Sequence, residues 1–82
     1  MWVVYIVELV DKSLYTGITN NLERRLKFHN TGRGSKYVYS RLPLVLKYKE
    51  YLKTKSEALR REAAIKQLTH KQKIELAENI NE

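Results

Sequence analysis

The hydrophobic and polar positions of this chain alternate between two periods, and the changes of period mark out its elements. Residues 2–10, WVVYIVELV, are β-branched or aromatic at odd and even positions alike, with Glu8 as the one interruption. That is the pattern of a central strand covered on both faces. A polar turn at DKS leads into LYTGIT, residues 14–19, and the two runs predict a hairpin. The period then lengthens. Leu22 and Leu26 fall on one helical stripe, Asn20 and Glu23 stand three apart like a capping box with Asn in place of Ser or Thr, and Thr31-Gly32 supplies a stop. These signals predict a helix over 21–30. Residues 31–43, TGRGSKYVYSRLP, hold no period and read as an exposed segment. LVLKYKEYL, residues 44–52, is a third strand. Thr54 with Glu57 opens a second helix over 55–68, and Thr69 with Gln72 opens a third over 70–79. The order β-β-α-β-α-α predicts a single domain over 1–82, an α/β fold of the α+β type with a small three-stranded sheet flanked by helices.

Composition narrows the class. At 82 residues and 43% hydrophobic content, the chain suits one compact core and argues against disorder. It has no cysteine, which excludes disulfides and thiolate–metal sites and fits a reducing cytoplasm. The first apolar run is too short to span a bilayer and follows no basic leader, so the expectation is a soluble protein without a membrane partner. Sixteen Lys and Arg against nine Asp and Glu give a net charge of +7, which directs attention to polyanions.

Certain residues do not fit a plain core. On the 55–68 helix, Ala58, Leu59 and Ile65 define the expected buried stripe, and Glu62 falls inside it, about 60° from Ile65. A carboxylate there is costly unless it is paired or holds a cation. It can pair with Arg25 or a lysine, or hold a hard divalent ion that keeps most of its waters. Arg25 and His29 lie four apart and project from one helix face. Tyr15 and Gly17 share a face of their strand, where a glycine weakens pairing and marks close approach by a ligand or another backbone. In the 31–43 segment Arg33, Lys36, Tyr37, Tyr39 and Arg41 interleave charge with aromatic rings. That suits a phosphate backbone with adjacent base or sugar contacts, or simply a solvated loop.

Together these positions resemble the GIY-YIG nuclease superfamily, in particular the small stand-alone bacterial members that look like the amino-terminal catalytic domain of the excision-repair nuclease subunit. The two tyrosine motifs read VVY at residues 3–5 and YTG at 15–17; NLERRLKFHN carries the family arginine at Arg25 and histidine at His29; KSEALRREAAIKQL places the metal-binding glutamate at Glu62. GRGSKYVYSRLP resembles the segment that follows in the stand-alone members. Val3-Val4 replace the usual Gly-Ile, and Thr16 stands where Ile or Val is usual.

The resemblance implies metal-dependent hydrolysis of DNA phosphodiester bonds, in DNA repair or processing, with one Mg²⁺ or Mn²⁺ held by Glu62. Arg25 would grip a non-bridging phosphate oxygen, and a tyrosine would activate the attacking water with His29 orienting it or relaying its proton. Tyr5 and Tyr15 are both candidates for that base. Gly17, Arg33, Lys36, Tyr37 and Arg41 are the expected nucleic-acid contacts. The chain has no room for a separate specificity domain, so discrimination would rest on DNA shape, on single-stranded or branched character, or on a protein partner. The competing reading is a non-catalytic nucleic-acid-binding module that keeps the fold. One geometric condition follows from the hairpin. Tyr5 and Tyr15 share a face only if paired residues have numbers with an even sum, which predicts an odd-length loop or a β-bulge between Val10 and Ser13.

Overall fold

The computed structural model describes residues 1–31 and 36–80. The expected elements are present in the expected order: β1 (Trp2–Glu8), β2 (Leu14–Thr19), α1 (Leu22–Asn30), β3 (Val45–Leu52), α3 (Lys55–Lys66) and α4 (His70–Ile80), with a single extra turn, α2 (Lys36–Tyr39), ahead of β3. The sheet is antiparallel with strand order β2-β1-β3, so β1 is central. Its unbroken apolar run is explained by that position, for Val4 and Ile6 face one side and Tyr5, Val7 and Leu9 the other. Each face has its own core. Ala58 and Ile65 of α3 and Ala77 of α4 cover the first, together with Tyr48 from β3. Leu22 and Leu26 of α1 and Val38 of α2 cover the second.

The hairpin satisfies the parity condition. Val3 pairs with Thr19, Tyr5 with Gly17 and Val7 with Tyr15, all even sums. The loop is three residues, 10–12, closed by Leu9 N–H donating to Ser13 O at 2.9 Å and Lys12 N–H donating to Leu9 O at 2.9 Å. Lys12 takes φ 71°, the left-handed residue that such a loop requires. The Asp11 carboxylate accepts from Ser13 N–H at 3.0 Å and pins the turn.

Two sequence-based details need correction. The α1 cap is Asn21, not Asn20: its side chain accepts from Arg24 N–H at 3.0 Å. Leu59 is not part of the buried stripe of α3 and is 46% exposed. The stripe is centred on Ala58 and Ile65, which lie about 20° apart on a helical projection, whereas Leu59 is about 100° from Ala58. The capping boxes of α3 and α4 form as expected. Thr54 Oγ1 accepts from Glu57 N–H at 3.1 Å, and Thr69 with Gln72 exchange reciprocal bonds of 2.9 and 3.1 Å. Behind α3, Glu50 of β3 gathers the Tyr48 hydroxyl at 2.5 Å and the Arg61 guanidinium at 2.9 Å, fastening the helix to the sheet. Burial works to raise the Glu50 carboxyl, but the hydrogen bonds from Tyr48 and Arg61 prevail and hold it below the usual carboxylate range. Among the described residues no helix is long and apolar enough to cross a membrane.

Candidate active site

The site begins with a missing side chain. Tyr5 on β1 stands directly opposite Gly17 on β2, and its ring lies across the space a side chain there would fill. A Cβ on Gly17 would come within 2.6 Å of the Tyr5 hydroxyl and 2.8 Å of Cζ. The close approach expected at this glycine is therefore made by a side chain, that of Tyr5. Docking of Leu22 and Leu26 then turns His29 inward one turn further along α1. His29 is buried, and its Nε2 lies 3.1 Å from the Tyr5 hydroxyl. Tyr15, half-buried, meets the same imidazole edge-on, with ring centroids 5.6 Å apart. The two phenols thus share one histidine.

The charges come from either side. Arg25 is exposed on α1, its guanidinium 5.7 Å from the centre of the Phe28 ring. Glu62 comes from α3, a helix that touches all three strands. Burial pushes the Tyr5 phenol up to about 12; the Tyr15 phenol and the Glu62 carboxylate add to the rise, and Arg25 opposes it. Burial lowers His29 below the ordinary imidazole value, and the Arg25 charge lowers it further. At neutral pH the dyad is an un-ionised phenol against an un-ionised imidazole. His29 Nδ1 is buried without a hydrogen-bond partner among the described residues.

Glu62 is mostly covered, its side chain 18% exposed, and its Oε2 lies 3.3 Å from the Lys66 ammonium one turn on. Of the two pairings considered for it, the lysine is realised. Among the described residues no cluster of three His, Cys, Asp or Glu is placed to form a metal cage. A lone carboxylate fits a hard cation that keeps most of its water shell, and does not fit one that needs a full set of protein ligands.

A GIY-YIG catalytic domain matches residues 1–75 of the chain. The chain belongs to the GIY-YIG nuclease family. A UPF0213 protein of Staphylococcus haemolyticus (strain JCSC1435) is 51% identical over 75 residues, 92% of each chain. One of Clostridium perfringens (strain 13 / Type A) is 53% identical over 73 residues, 89% of this chain and 78% of that one. Among solved structures, the solution NMR structure of a UPF0213 protein from Bacillus halodurans is similar with a TM-score of 0.63 at 38% identity, covering 98% of this chain and 86% of the other. A protein of E. faecalis, also solved by NMR, gives 0.66 at 40% identity, covering 96% and 84%.

In this GIY-YIG domain the remaining expected nucleic-acid contacts divide. Arg33 lies outside the described residues. Lys36 and Tyr37 are exposed on α2. Arg41 has other employment: its Nε donates to Asp11 at 2.8 Å, its Nη1 to the Tyr37 carbonyl at 3.2 Å, and the guanidinium lies 3.9 Å above the Tyr37 ring. With Val10 N–H donating to Arg41 O at 2.9 Å, it staples the hairpin loop to the segment after α2. Arg41 is among the expected nucleic-acid contacts, and a basic residue among aromatic ones gives no sign in the sequence of the partners it has within the chain. The sequence reading also passed over Phe28, the single phenylalanine, left partly exposed one turn on from Arg24 and Arg25.

Proposed function

We propose that this chain is a metal-dependent endonuclease that hydrolyses a DNA phosphodiester bond. The observation that carries this reading is the convergence of two phenols on one imidazole, the Tyr5 hydroxyl 3.1 Å from His29 Nε2 and the Tyr15 ring edge-on to the same histidine, with the charges of Arg25 and Glu62 bearing on the Tyr5 phenol. A binding module has no need of a largely covered carboxylate on the helix beside these residues. Glu62 would hold Mg²⁺ or Mn²⁺, which would supply a Lewis acid for the charge that develops on the phosphate and its leaving oxygen. Arg25 holds a non-bridging phosphate oxygen by a charge-assisted hydrogen bond. A water oxygen attacks phosphorus as its proton passes to a tyrosine in the phenolate form, and the bond to the departing sugar oxygen breaks to give an alkoxide that takes its proton from the tyrosine or from solvent.

Burial favours Tyr15 as that base. Tyr5, pushed up to about 12, holds its proton at neutral pH and is better suited to orienting His29. Tyr15 is the more accessible phenol and has the imidazole at its edge.

The test is cleavage of end-labelled single-stranded, duplex and branched DNA with Mg²⁺, Mn²⁺ or chelator. Glu62→Gln and chelator should each abolish cutting. Tyr15→Phe should lower kcat by about 10²–10⁴ with binding retained, and Arg25→Ala by about 10²–10³. Binding without cleavage on every substrate would replace this reading with the module; cleavage that survives both chelator and Glu62→Gln would overturn the mechanism.

A further inference from the structure

Arg25 faces two ways. Its charge acts on Tyr5 and His29, while its guanidinium also lies over Phe28 and lines a second feature. That feature is an open groove of about 190 Å³ bounded by Thr19, Asn20, Asn21, Arg24, Arg25 and Phe28. The groove is not simply the start of α1 seen end-on. Asn21 already caps the helix, its side chain accepting from Arg24 N–H at 3.0 Å and its carbonyl from Arg25 N–H at 3.0 Å. Thr19 is likewise satisfied by bonds to the Asn21 backbone. What remains open are side chains: the Phe28 ring, 39% exposed, the Arg24 guanidinium and the Asn20 amide. Among the described residues no carboxylate pairs with Arg24 or Arg25, although Lys27 on the same helix is met by Glu23 at 3.5 Å.

An exposed ring beside two uncompensated guanidinium groups complements a nucleotide in both its parts. The ring face takes the base by stacking, and the cations take its phosphates. We propose that this groove is a subsite for one unstacked base of the DNA strand, adjacent to the scissile phosphate, with Phe28 as its stacking surface and Arg24 on the neighbouring phosphate. The subsite rests on the nuclease reading above, because Arg25 is the residue common to both. A base inside a duplex has its faces covered by its neighbours, so only a single-stranded, frayed or branch-point nucleotide can occupy it. The groove thereby selects the substrate class.

The test measures binding without metal, by fluorescence anisotropy of a labelled single-stranded 12-mer and of a blunt hairpin of the same sequence, in chelator. Phe28→Ala should weaken single-strand binding about 5- to 100-fold, leave hairpin binding within about twofold, and preserve the thermal midpoint. Phe28→Trp should keep single-strand affinity, since it retains an aromatic face. Arg24→Gln should reduce the slope of log K against log salt by about 0.7 on the single strand. Single-strand affinity within twofold of wild type in Phe28→Ala, an equal loss on both DNAs, or no binding by the wild type would each overturn the subsite. Phe28-dependent binding with no cleavage would overturn the nuclease reading alone. Cleavage with Phe28-independent binding would overturn the subsite alone.

Discussion

Gly17 shows how much one atom decides here. It was legible in the sequence as an anomaly, because a glycine inside a strand weakens it for a reason. The reason was not legible, since the neighbour that needs the space is twelve positions back and becomes its partner only through the register. Gly17→Ala should drive its methyl group into a buried phenol bonded to His29, costing about 1–3 kcal/mol in urea denaturation and displacing the dyad. A melting curve and turnover unchanged from wild type would show that the ring can move aside. His29 makes a second claim at this scale. Its folded pKa lies below the ordinary value of 6.5 because the protonated ring is disfavoured where it is buried. The unfolded chain therefore takes up the proton first as pH falls, so this contribution to stability is present above about pH 6.5 and is lost progressively below it. The thermal midpoint should drop between pH 7 and pH 5, and His29→Gln should flatten that part of the profile.

At the scale of elements, the strands, the capped helices and their order could be read because local signals agreed with the fold. Errors arose where tertiary contact overrode a local pattern. Leu59 is a good core residue on a helix whose contact line runs through Ala58 and Ile65 instead. One turn of helix formed at Lys36–Tyr39 because Val38 has a pocket on the odd-numbered face, which no period in that segment announces. The loop at 10–12 has a sharper consequence. Removing one of its residues should turn Tyr15 and Gly17 to the α3 side and bring Leu14, Thr16 and Ile18 toward α1, since the pleat alternates every residue. Such a deletion should abolish cooperative unfolding, whereas inserting two residues should leave a native-like circular dichroism spectrum and melt. The Glu50 anchor is a milder case. Glu50→Ala should destabilise by about 1–2 kcal/mol, mostly because the buried Tyr48 hydroxyl loses its acceptor. Equilibrium denaturation with Tyr48→Phe as the second arm of a double-mutant cycle should show strong coupling.

Over the whole molecule, charge pointed to a polyanion and length to one domain, but neither could say how the two faces of the sheet divide their work. The face covered by α3 and α4 is packing with an ionic clasp, although α3 also carries Glu62; the face covered by α1 and α2 holds Tyr5 and His29, which are both core and candidate chemistry. Ile6→Val, on the packing face, should cost about 0.5–1.5 kcal/mol and leave turnover per folded molecule unchanged, as active-site titration against melting would reveal. On the opposite face the two quantities cannot be separated. Because the Tyr5–His29 contact joins residues 24 apart in sequence and is sealed from water, it exists only once the hairpin and α1 have met. On the nuclease reading proposed above, a partly folded chain would carry the cationic charge that attracts DNA without the dyad needed to cut it. On that reading the buried phenol would work as an interlock, and its late ionisation on alkaline titration, lost in Tyr5→Phe, would report that the domain has closed over it.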